Sequence, residues 1–163
     1  AFDLLDTLLT AQPDQADLLY ETALLAEKLG RLEVMETRLR KLIELRPESA
    51  QGYNALGYSL ADRNLRLPEA RALIEKALSL SPDDYFILDS MGWVLFRQGD
   101  LAGALEYLEK AHARRDDPEI AAHIGEVLWA QGRREEAVKV WQSAQQKFPD
   151  NESLADVIKK FQP

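Results

Sequence analysis

Four stretches of this chain carry the same small residues at the same offsets. In "ILDSMGWVLFRQGDLAGALEYLEKAHA", Gly92 is followed by Gly99, Ala104 and Ala111; in "EIAAHIGEVLWAQGRREEAVKVWQSAQQKFP", Gly125 is followed at the same distances by Gly132, Ala137 and Ala144. A third copy, "ALGYSLADRNLRLPEARALIEKALSLSP", has Gly57, Ala70, Ala77 and Pro82, and a weaker fourth, "ETALLAEKLGRLEVMETRLRKLIELRP", has Ala23, Gly30 and Pro47. The anchors Ala23, Gly57, Gly92 and Gly125 are spaced 34, 35 and 33 residues apart. Self-similarity at such a period is the mark of an array of small units, each too small to bury its own apolar face.

Within each unit the apolar spacing is helical, and no sustained alternation with β-branched enrichment predicts a strand. Ten helices are expected, near residues 1–11, 15–29, 32–46, 49–63, 68–80, 84–98, 101–114, 118–131, 134–147 and 151–161. The punctuation agrees. "KLGR", "RQGD" and "AQGR" place glycine where the first helix of a pair ends, suiting a left-handed C′ residue. Pro47, Pro82 and Pro149 fall between pairs, where proline stops one helix without harming the next. "DDPE" offers Asp117 as N-cap, with Pro118 at the first helical position. Asn64 replaces the turn glycine of the second unit, which also carries one extra residue before Ala70.

Glycine inside a helix costs roughly 1 kcal/mol relative to alanine, so packing must offset it. Gly125 and Ala137 are expected where the two helices of a pair cross, letting the axes approach, with Leu128, Val138 and Trp141 filling in around them.

Large residue, "LG"-type small residue, alanine, aromatic, alanine and proline at these offsets resemble the tetratricopeptide repeat, a helix–turn–helix unit of about 34 residues. Gly125, Leu128, Ala137, Trp141, Ala144 and Pro149 fit almost position for position. The resemblance implies an all-α solenoid, a right-handed superhelix that binds protein partners and has no catalytic activity. Residues 1–13 are then the second helix of a truncated repeat, 14–47, 48–83, 84–117 and 118–150 are four repeats, and 151–163 is a capping helix. The chain is accordingly expected to be a fragment. The broken first unit should expose Phe2, Leu4, Leu5, Leu8 and Leu9, a face for self-association. A narrower resemblance, carried by "LDSMGWVLFRQGDLAGALEYLEKA" and "DDPEIAAHIGEVLWAQGRREEAVKVW", is to proteobacterial outer-membrane repeat lipoproteins that act as adaptors of a C-terminal processing protease. It implies that protease or its substrates as partner, a lipid anchor in the full-length protein, and a periplasmic location.

In such repeats the first helices line the concave side, and the family's groove positions fall on Tyr20, Leu24, Asn54, Tyr58, Phe86, Asp89, Trp93, Phe96, Arg97, Glu119, Glu126 and Trp129. Aromatic anchors with carboxylates between them suit a peptide or helix of a partner. Tyr58 and Trp93 are expected to be exposed there, Phe96 and Trp129 to pack on neighbouring helices, and Trp141 to be core. The groove lacks the Lys, Arg and Asn set needed to grip a peptide C-terminus; Asn54 and Arg97 are the only candidates.

Composition narrows the rest. With 28 acidic against 20 basic residues the formal charge is −8, which disfavours nucleic acid as a partner and mildly favours basic or neutral surfaces. The absence of cysteine excludes disulfides and thiolate chemistry but does not identify the compartment. No metal or cofactor site is read: His112 and His123 lie on different helices without ligand spacing, and each is taken as a satisfied or surface histidine. No nucleophile elbow or phosphate loop is present.

Overall fold

The computed structural model describes residues 1–162. Its ten helices run α1 (Phe2–Ala11), α2 (Ala16–Lys28), α3 (Leu32–Leu45), α4 (Ala50–Asp62), α5 (Leu67–Leu80), α6 (Tyr85–Arg97), α7 (Leu101–Arg114), α8 (Pro118–Ala130), α9 (Arg134–Lys147) and α10 (Glu152–Phe161). No strand occurs among the described residues. The fold is the all-α solenoid expected, with helix ends within about two residues of those read from the pattern.

The turns explain why the helices stop where they do. Gly30, Gly99 and Gly132 adopt φ of 71°, 88° and 81°, the left-handed region that glycine reaches without a Cβ penalty. Each turn is closed by a backbone N–H three residues past the helix end donating five residues back: Arg31 to Ala26, Asp100 to Leu95 and Arg133 to Leu128, at 2.9–3.0 Å, the hydrogen bond of a Schellman motif. Asn64 takes the same role at φ 56°, with Leu65 N–H bonded to the Leu60 carbonyl. The extra residue of this unit is taken up beside it, where Arg66 also turns left-handed at φ 44°. Starts are capped by side chains. Asp84, Asp100, Asp117 and Asn151 accept from the backbone N–H groups of Phe86, Gly103, Glu119 and Leu154 at 2.8–2.9 Å, satisfying donors no helical carbonyl can reach.

Consecutive helices form antiparallel neighbours, closest within the pairs α2–α3, α4–α5, α6–α7 and α8–α9. The first helices α4, α6 and α8 also touch one another across the stack, and α10 packs on α8 and α9. The small residues sit at the crossings. A Cβ added to Gly57 would lie 2.7 Å from Ile74, one on Gly92 2.6 Å from Leu108, and one on Gly125 1.9 Å from the Trp141 indole nitrogen. Ala70, Ala104 and Ala137, all fully buried, are the matching small residues on the second helices. Trp141 is fully buried, and its indole N–H donates to the Ala122 carbonyl at 3.2 Å. Val138 is only partly buried and belongs to the edge of this packing.

The apolar face expected on α1 is smaller than its sequence suggests. Phe2 and Leu9 are buried, and the guanidinium groups of Arg31 and Arg38 lie 4.5 and 5.1 Å from the Phe2 ring, a cation–π cover. Leu4 and Leu8 remain exposed.

Gly125→Ala should lower stability by about 1–3 kcal/mol through overpacking against Trp141, read as a lower denaturant midpoint. An unchanged midpoint would mean that α8 and α9 do not approach this closely.

Candidate protein-binding groove

Because side chains recur every three to four residues on one helix face, α8 presents Glu119, Ala122, His123 and Glu126 together. α6 presents Phe86, Asp89, Trp93 and Arg97 beside them, and α4 presents Asn54, Tyr58 and Asp62. These faces form three successive hollows along the first helices. Tyr20, Asn54 and Phe86 border both of the first two, of about 220 and 170 Å³; Leu24, Tyr58, Asp89 and Glu119 border the second. The third, of about 360 Å³, is lined by Tyr58, Asp62, Trp93, Arg97, Glu119, Ala122, His123 and Glu126. Ser153, Val157 and Lys160 of α10 form its far wall.

The floor of the third hollow is a bonded cluster drawn from three repeats. Asp89 and His123, both buried, lie one repeat apart, and their Oδ1 and Nδ1 atoms are 2.8 Å apart. The Trp93 ring stacks on the imidazole with centroids 4.0 Å apart, and its indole N–H donates to the Asp62 carboxylate at 3.1 Å. The Tyr58 hydroxyl stands 3.5 Å from the other imidazole nitrogen. Arg97 lies across the outer face of Trp93, 4.9 Å from its centroid, and donates to the Asp62 carbonyl at 2.9 Å.

Charge in this cluster follows from those contacts. Burial opposes a charged imidazole at His123, but the Asp89 carboxylate outweighs it by proximity and hydrogen bond, helped by Glu126 and Glu119, so the His123 pKa is raised. The imidazole Nδ1–H donates to the Asp89 carboxylate. Burial, then the Asp62 and Asp89 carboxylates, push the Tyr58 phenol far up, keeping it protonated. Desolvation, then Asp117, raise the Glu119 carboxyl, with His123 the one charge opposing them.

Ten of the twelve groove positions read from the sequence therefore border the hollows: Tyr20, Leu24, Asn54, Tyr58, Phe86, Asp89, Trp93, Arg97, Glu119 and Glu126. Their exposure differs from expectation in one important case. Trp93 is 3% exposed, corrected from a presented anchor to part of the floor, because His123 and Arg97 cover its two faces. Tyr58 is half-buried. Phe86, at 53% exposure, is the presented aromatic. Phe96 is half-buried against Trp93 at 5.0 Å and lines none of the hollows. Trp129 faces away from them: it packs 5.9 Å from Trp141 and 5.4 Å from Phe161, so it docks α10. Trp129 thus packs on neighbouring helices, as its position led one to expect, whereas the aromatic contact of Phe96 is to Trp93 of its own helix.

Sequence reading missed Asp62, His123 and the α10 wall. The signal for His123 was present, since it follows Glu119 by four residues and precedes Glu126 by three. His112 is exposed and separate. No group of three or more His, Cys, Asp or Glu side chains that could hold a metal occurs among the described residues.

A solenoid of helix pairs with a lined inner groove defines the class, a helical-repeat interaction scaffold. Sequence profiles described as tetratricopeptide repeat match residues 36–85 and 95–160, and the chain belongs to the tetratricopeptide repeat family. It is 54% identical over 114 residues to the TPR repeat-containing protein PA4667 of Pseudomonas aeruginosa, covering 70% of this chain. The chain spans only 19% of that relative's length. Among solved structures, the fold is similar to TTC0263 of Thermus thermophilus (TM-score 0.85, 24% identity, 96% of this chain and 88% of that one). It is also similar to YrrB, a TPR protein described as having an unusual peptide-binding site (TM-score 0.68, 22% identity, 94% and 79% covered). Proteins of this family serve as protein-interaction scaffolds.

Two outcomes test the cluster. Trp93→Ala should cost about 3–5 kcal/mol in chemical denaturation, as a buried tryptophan does; a loss below about 1 kcal/mol would return Trp93 to the surface. Since the folded His123 pKa is raised, the Asp89–His123 pair stabilises fully below the unfolded histidine value and less as pH rises through the folded one. Asp89→Asn should therefore lower the melting temperature more at about pH 6 than at about pH 9. An equal loss at both would place a neutral histidine at this site.

Proposed function

We propose that the chain is a non-catalytic scaffold that seats an extended or helical peptide segment of a partner protein along the hollows between α2 and α10. The observation that carries this reading is the continuity of those hollows past one presented aromatic, Phe86, and one half-buried aromatic, Tyr58, with polar groups between them. Aromatic anchors in partly desolvated pockets supply most of the affinity in such interfaces, and polar groups fix register. Asn54 adds one such group, for its Oδ1 is enclosed without a hydrogen-bond partner. The YrrB resemblance supports the reading, because that protein carries a peptide-binding site on the same fold.

The partner we propose is a periplasmic C-terminal processing protease or its substrates, with the full-length protein held at the outer membrane by a lipid anchor. The similarity of residues 88–111 and 116–141 to adaptor lipoproteins supports this part. Phe86→Ala should weaken binding of the purified protease by about 1–3 kcal/mol in calorimetry while leaving the melting temperature within a few degrees. Equal affinity for wild type and variant would remove Phe86 from the interface, and no binding by wild type would remove the protease as partner.

Exposure of Leu4 and Leu8 on α1 favours self-association as a second reading. Light scattering on this chain and on a longer one distinguishes it: monomers of both at about 100 μM would exclude dimerisation tighter than that concentration.

A further inference from the structure

The third hollow contains two carboxylates that none of its own cations pairs with directly. Asp62 has Arg97 within 3.7 Å, and Asp89 has His123 at 2.8 Å. Glu119 and Glu126, two helical turns apart on α8, have no cation within salt-bridge distance among the described residues, and both border the hollow. Lys160 of α10 lies on the opposite wall, 5.1 Å from the Phe161 ring centroid. Two carboxylates with no salt-bridge partner thus stand near His123 and face one ammonium group at the far edge.

The surroundings make that lack of a direct partner costly. Partial desolvation and the neighbouring carboxylates of Asp117, Asp89 and Asp62 raise the Glu119 carboxyl. The Tyr58 phenol beside it is held protonated by burial and by the Asp62 and Asp89 carboxylates. A carboxylate withdrawn from water gains most from an opposite charge brought into the same site. The floor is aromatic as well, with the Tyr58 edge and the Trp93–His123 stack, a surface against which the methylene stem of a basic side chain can lie.

We infer that the third hollow is a seat for a lysine or arginine side chain of the bound peptide, the cation lying between Glu119 and Glu126 at the Tyr58 end and away from Lys160. The inference deepens the peptide-binding reading and rests on it. It assigns that groove a ligand class: segments carrying a basic residue, set one repeat-width from the apolar residue that meets Phe86.

A displayed library of random dodecapeptides, panned against the immobilised chain, tests it. Wild type should enrich peptides with a lysine or arginine at a fixed distance from an apolar residue. Glu119→Gln/Glu126→Gln should bind a synthetic copy of the enriched peptide about tenfold more weakly. Replacing that lysine or arginine by glutamine should weaken wild-type binding to a similar degree, with little further loss in the double variant. Glu33→Gln/Glu109→Gln, which removes the same formal charge from the second helices, should leave affinity within about twofold and so separates a local seat from general attraction to an acidic protein. Enrichment of neutral or acidic peptides overturns the cation seat alone, as does equal weakening by both double variants. Failure to enrich any peptide overturns the groove reading and this inference together.

Discussion

Everything in this molecule depends on how closely the two helices of a pair can approach. Gly57, Gly92 and Gly125 leave no room for a Cβ at the crossing, and in that space Ile74, Leu108 and Trp141 are wholly enclosed. The exchange is favourable because a missing methyl costs roughly 1 kcal/mol in helix propensity, whereas enclosing a large apolar side chain contributes about 1.5–3 kcal/mol. Repeated along the chain, it converts hairpins that would not persist alone into a stack. The first helices then lie side by side, and their outward faces become one surface.

That surface inherits the register of the repeat. Asp89 and His123 lie 34 residues apart on the first helices of adjacent units, one position off strict equivalence, so a contact between repeats can be written into the sequence as a pair separated by about one period. Trp93 and Asp62 show the same logic at 31 residues. Positions on one face of the first helices therefore serve two purposes. Some bond across the unit boundary and hold the stack together, and others remain open to a partner. Trp93 belongs to the former and Phe86 to the latter, although both are aromatic residues at groove positions.

This division is what the sequence did not disclose. Element types, turn chemistry and crossing points were legible because they depend on local pattern: a glycine at the helix end, an aspartate before a helix, a small residue every period. Whether Trp93 is presented or covered depends instead on what His123 and Arg97 do, and those side chains arrive from a neighbouring unit and from one turn further along the same helix. Phe2 was misjudged for a related reason, since Arg31 and Arg38 cover an aromatic ring that hydropathy alone leaves bare. The contribution of α10 to the groove wall likewise follows from its docking on α8 and α9, which no periodicity within α10 reveals.

The contact between Trp93 and His123 has an optical consequence. An imidazolium stacked on an indole quenches its emission, so Trp93 should be dark whenever His123 carries its proton. Trp129 and Trp141 form a separate cluster with Phe161 and do not share that contact. Steady-state fluorescence of the unlabelled chain thus contains a component that brightens when the groove floor loses its proton or is rearranged, against a background that does not. The cluster that ties neighbouring repeats together is also a built-in indicator of what happens above it.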